Sequence, residues 1–90
     1  MAKAHVNPEE LRRFAKDLSR FNSELQSLLS GLHARMLNLE KTWRDQEQKK
    51  FIEEFEVTMK AISRFIESSN RHVSILVKKA GHIEDYLQQR

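Results

Sequence analysis

Apolar residues recur at alternating steps of three and four along almost the whole of this 90-residue chain, and the rhythm stops only once, in the polar stretch Glu40–Asp45. Before the stop run Leu11, Phe14, Leu18, Phe21, Leu25, Leu28, Leu32 and Leu39, and after it Met59, Ile62, Ile66, Ser69, Val73, Leu76, Ala80, Ile83 and Leu87. That spacing keeps one stripe of each helix turned toward a partner helix. Two stripes of similar length with one break between them predict an all-α, antiparallel two-helix hairpin. Helix 1 is expected over about 8–40, the turn over about 41–45 and helix 2 over about 46–88, in a single domain covering 1–90.

The only tryptophan, Trp43, stands inside the break. A tryptophan placed where helical periodicity stops marks the bend and caps the core there. The helix starts are written on either side. Asn7 is an N-cap with Pro8 at the first helical position, and Glu10 can reach back to close a capping box. Asp45 is the N-cap expected for the second helix. One proline and two glycines leave little other punctuation, which favours long uninterrupted helices.

The stripes have specific weak points. Arg35 interrupts the first and Ser69 the second. Gly31 lies within helix 1, where it costs about 1 kcal/mol relative to alanine and permits close approach of another helix. The apolar surface also exceeds what one helix pair can cover. Leu29, Met36 and Leu37 widen the first stripe, while Phe51, Ile52, Phe55, Phe65 and Ile75 crowd the second. Such surface is covered most simply by a second chain. Two hairpins packed face to face make a four-helix bundle. The expected hairpin or dimer interface comprises Leu11, Phe14, Leu18, Phe21, Leu25, Leu28, Leu32, Phe51, Phe55, Met59, Ile62, Phe65, Ile66, Val73, Leu76 and Ile83.

Composition argues against most other functions. There is no cysteine, so neither disulfides nor thiolate metal sites are available. His5, His33, His72 and His82 are never three or four residues apart, and no His-Glu-x-x-His run occurs, so no metal or other cofactor is expected. Two long helices without loops offer no concave pocket for a small molecule, and no nucleophile motif or phosphate loop appears, so the chain is not expected to be an enzyme. The net charge of +3 comes from bases interspersed with acids, which argues against nucleic acid as a partner. No apolar run approaches a membrane span or a signal peptide. The protein is expected in the cytoplasm as synthesised, and export would use a route without a cleavable signal.

About ninety residues, no cysteine, two amphipathic helices and Trp43 at the bend together resemble the WXG family of small type VII secretion proteins, the group that includes the early secreted antigen-like proteins. In that family a Trp-x-Gly turn separates the helices and an aromatic or apolar residue commonly follows about two helical turns later. Trp43 takes the tryptophan position and Phe51 the later one. Asp45 stands where the glycine is expected, a replacement that aspartate tolerates as an N-cap. Family members or their partners often carry a tyrosine followed four residues later by an acid. Tyr86 is followed at that distance by Arg90. The resemblance implies a homodimeric or heterodimeric four-helix bundle, acting by protein–protein contact as secretion substrate, co-secreted partner or chaperone. Its implied partners are itself or a paralogous hairpin, with a secretion ATPase or a larger secreted protein beyond them, and Trp43 with Asp45 forms the turn that a secretion component would read. The alternative on the same residues is an intracellular helical scaffold or adaptor unrelated to secretion.

Overall fold

The computed structural model describes residues 6–89. Among these the chain forms two α-helices and no strand: α1, Pro8–Leu39, and α2, Gln46–Gln88. They pack side by side in opposite directions as a single layer, 69 Å long and only 15 Å thick. His5 lies outside the described residues.

Both helix starts are satisfied by side chains. The Asn7 Oδ1 accepts the backbone N–H of Glu9 at 2.8 Å and of Glu10 at 3.4 Å, which satisfies two of the donors that a helix start leaves orphaned. Asp45 Oδ1 accepts the Gln48 N–H at 3.1 Å and caps α2 in the same way. Between the helices the chain winds down through Thr42 and Trp43, whose N–H groups both donate to the Leu39 carbonyl. Asp45 is extended, with φ −103° and ψ −176°. No described residue has a positive φ. The turn therefore needs no left-handed residue, and nothing in its backbone requires glycine at position 45.

Three contacts between the helices set their register. Arg12 pairs with Glu84, Asn22 donates to Asn70, and His33 approaches Glu56. Each step up α1 is matched by a step down α2. The line buried between them is Ala15, Asn22, Leu29 and Met36 on α1 against Met59, Ile66, Ser69 and Ala80 on α2. On α1 these residues repeat every seven, as a left-handed helix pair requires. Small residues lie on it near the open end and larger ones near the turn, where Leu29, Met59 and Ile66 form the core cluster with Leu25, Phe55 and Ile62 against it.

The first stripe is thus displaced from the contact line that its spacing suggested. Leu11, Leu18 and Leu25 are half-buried at the edge of the helix contact, while Phe14, Phe21, Leu28 and Leu32 are exposed. Ala15 and Asn22 take the contact itself because small side chains allow the helices to approach. An apolar band wider than one contact line must leave part of itself uncovered. On α2 the stripe is centred correctly: Met59 and Ile66 are buried, and Ile62, Val73, Leu76 and Ile83 are half-buried.

Candidate pairing face and hairpin end

One side of the hairpin, here called the front, is apolar along its length. Phe14 and Leu18 from α1 line a shallow groove with Phe65, Ser68, Ser69, His72, Ile75 and Leu76 from α2. Phe21 and Leu28 continue the Phe14 line at seven-residue steps, half and two-thirds exposed respectively. The opposite side is mostly polar. Its shallow grooves are lined by Ser19, Ser23, Gln26, Ser27, Ser30, Ser63 and Asn70, with Lys16 and Arg20 beside Val73 and Val77 toward the open end. Arg12–Glu84 and His33–Glu56 also bridge the helices on this back side, at 2.6 Å and 3.8 Å.

The electrostatics are those of a solvated helix surface. The Glu84 carboxyl is held below its ordinary range chiefly by the hydrogen bonds from the Arg12 guanidinium; desolvation opposes them, and the Arg12 charge adds a lesser lowering. The histidines are dispersed: His33 on the back, His72 in the front groove, and His82 beside Lys78 and Lys79 near the end of α2.

The hairpin end is built from stacked rings. Trp43 is half-buried and packs against Phe51 with ring centroids 5.4 Å apart and planes tilted by 44°. Phe51 in turn stacks on Phe55 at 5.4 Å, a spacing at which aromatic pairs attract. Phe55 packs on the Leu29–Met59–Ile66 cluster, so the ladder ties Trp43 to the core. Phe51 remains 39% exposed and leaves the outer edge of the ladder open.

A profile described as proteins of 100 residues with WXG matches residues 3–88 of the chain. The chain belongs to the WXG100 family. It is a helical-hairpin protein of type VII secretion systems. Among solved structures it is similar to the secreted protein EsxB of Bacillus anthracis strain Sterne. The wild-type crystal form is 28% identical with a TM-score of 0.81, covering 94% of this chain and 99% of that one. The selenomethionine-labelled form gives 28% and 0.80, over 96% and 98%. No curated protein matches the chain. At the bend the chain reads Trp43-Arg44-Asp45, with aspartate where the WXG motif has glycine. Membership also agrees with pairing of such hairpins with themselves or with partners.

Sequence reasoning missed Asn22, which at 2% exposure is the most deeply buried polar side chain among the described residues. Its amide donates to Asn70 Oδ1 at 3.0 Å, while its own Oδ1 is buried without a partner. The signal was present as a polar residue at a seven-residue step from Ala15 and Leu29. It was masked by the louder Phe14–Leu18–Phe21 rhythm beside it.

Proposed function

We propose that this WXG100 protein acts without catalysis, by pairing its front face with a second helical hairpin and passing through a type VII secretion system as one half of that pair. The observation that supports this most directly is the uncovered apolar front. A compact monomer of 10.7 kDa exposes about 5,500 Å², whereas this chain exposes 7513 Å². The excess of roughly 2,000 Å² is of the size that one subunit contributes to a large obligate interface. No helix among the described residues is long and apolar enough to cross a membrane, so a bilayer-spanning role does not account for it.

In this function Trp43 and Phe51 close the bundle end and present an aromatic edge to the secretion machinery, while Asp45 holds the turn by capping α2. The solved relatives are secreted proteins, which favours export of this chain over a purely intracellular scaffold. Two measurements test the proposal. Light scattering behind size-exclusion should give a dimer mass, alone or with a neighbouring gene product, and a stable monomer under both conditions would refute pairing. Export is decided by culture supernatants. The protein should vanish from them when the secretion ATPase is disrupted, and unchanged release would refute the route.

A further inference from the structure

The whole-chain charge of +3 conceals an uneven distribution. Between Val57 and Ile83, α2 carries Lys60, Arg64, Arg71, Lys78 and Lys79 against a single acid, Glu67, while the other acids of this helix lie toward its two ends. Among the described residues none of these bases is ion-paired.

The side of α2 turned away from α1 has a rhythm of its own. Val57, Arg64, Arg71 and Lys78 repeat at seven-residue steps, and Ala61, Ser68, Ile75 and His82 form a second such row. The first row lies two residues before, and the second two residues after, the inward row of Met59, Ile66, Val73 and Ala80. Two residues turn a helix by about 200°, so both rows stand opposite α1. Together they run at alternating steps of four and three over roughly 38 Å, the spacing of a helix-packing seam. All but Ser68 are exposed, Val57 by 66% and Ile75 by 59%.

The composition of this outer seam decides what fits it. Ala61 and Ser68 are small enough for another helix to approach closely. Ile75 and Tyr86 supply apolar anchorage in a shallow groove with Lys78, Lys79 and His82. Arg64, Arg71 and Lys78 take one seam position in every heptad, where a helix lying on the seam covers them. An apolar helix would leave those charges unpaired. A second α2 would set base against base in either direction. A DNA strand carries a charge about every 3.4 Å, whereas these bases recur at roughly 10.5 Å with small or apolar side chains between them. A helix with a carboxylate at every seventh residue meets all three.

We propose that the outer seam of α2 is a docking surface for an acidic helix of a different protein, one carrying Asp or Glu at seven-residue steps opposite Arg64, Arg71 and Lys78. Ser68 and Ile75 border the front groove, and the three bases stand clear of it. The surface therefore goes beyond pairing through the front and does not depend on it.

Fluorescence anisotropy on the full-length chain tests this with a labelled three-heptad helical peptide, glutamate at every seventh position and alanine or leucine at the seam positions between, against a scrambled isomer of the same composition. The ordered peptide should bind about tenfold tighter or more. Arg71→Glu should weaken its binding by about tenfold or more, because like charges then face each other, and a peptide with lysine at its central glutamate should recover it. Lys16→Glu, the same change of charge on the back of α1, should leave binding unchanged, as should Phe21→Asp on the front; circular dichroism verifies the fold of each variant. Equal binding of the two peptides, or equal weakening by Arg71→Glu and Lys16→Glu, would overturn the seam. Tighter binding of a DNA duplex or of phosphatidylglycerol vesicles than of the ordered peptide at the same salt would overturn the acidic helix as its occupant. Loss of peptide binding in Phe21→Asp would move the contact to the front and overturn the proposal, whereas a monomeric wild type that still binds the ordered peptide would refute front pairing and support the outer seam.

Discussion

The two sides of the hairpin share the same helices and the same spine of buried residues, yet differ in what they leave to solvent. The front exposes Phe14, Phe21, Leu28, Phe65 and Ile75 in one band, while the back exposes serines, asparagine and charges with Val77 as an isolated apolar residue in its groove. Single exposed leucines are ordinary on a protein surface, whereas a continuous band is not. The difference teaches that burial within the hairpin consumes only half of each stripe. The other half stays open to solvent.

The largest perturbation strikes the spine that both sides depend on. Ile66 is 5% exposed, and Ile66→Asp would bury an unpaired carboxylate in the core cluster. A loss of at least ~3 kcal/mol is expected, which a chain of this size cannot absorb; thermal circular dichroism should show it largely unfolded. Full helicity would mean that the buried line is wrongly placed.

Asn22→Leu makes the spine apolar where it is now polar. It removes a buried Oδ1 that has no partner, and the exposed Asn70 can turn to water. Chemical denaturation should show a gain of roughly 1 kcal/mol. Because a buried asparagine fixes register, the more stable variant should also exchange its amide hydrogens less uniformly. A marked loss of stability would show that the Asn22–Asn70 bond contributes more than its half-satisfied geometry suggests.

Substitutions at the turn act on neither side and serve as a reference for both. Asp45→Ala should cost about 1 kcal/mol as a lost N-cap, and Asp45→Gly, which restores the family's Trp-x-Gly, only a few tenths. Equal losses would mean that Asp45 does something other than cap α2. The smallest effect belongs to the back. Glu84 ionises more readily when folded because Arg12 holds it, so its contribution is present above its unfolded pKa and lost as pH falls through the folded value. Both groups are exposed, so Glu84→Gln should barely shift the melting temperature at neutral pH, and the shift should disappear in acid.

Much of this was legible in the sequence, for physical reasons that differ by element. The Asn7-Pro8 and Asp45 caps are local chemistry, readable from a few neighbouring residues. Trp43 and Phe51 announce the bend because an aromatic in a polar gap needs a surface to rest on. The contact line of α1 was not legible. Periodicity locates a helix's apolar band but not which edge of a wide band meets the neighbour, and Ala15 and Asn22 carry no hydrophobic signal to mark it.

The contrast between the faces is tested most directly by one paired measurement, sedimentation velocity at micromolar concentration of Phe21→Asp and Ser23→Asp, two residues apart on α1 and on opposite sides. Phe21→Asp should weaken association by at least about 100-fold, as loss of a central aromatic anchor does, and leave a helical monomer. Ser23→Asp should sediment as the wild-type dimer. Equal behaviour of the two variants, whether both dimeric or both monomeric, would contradict the assignment of pairing to the front.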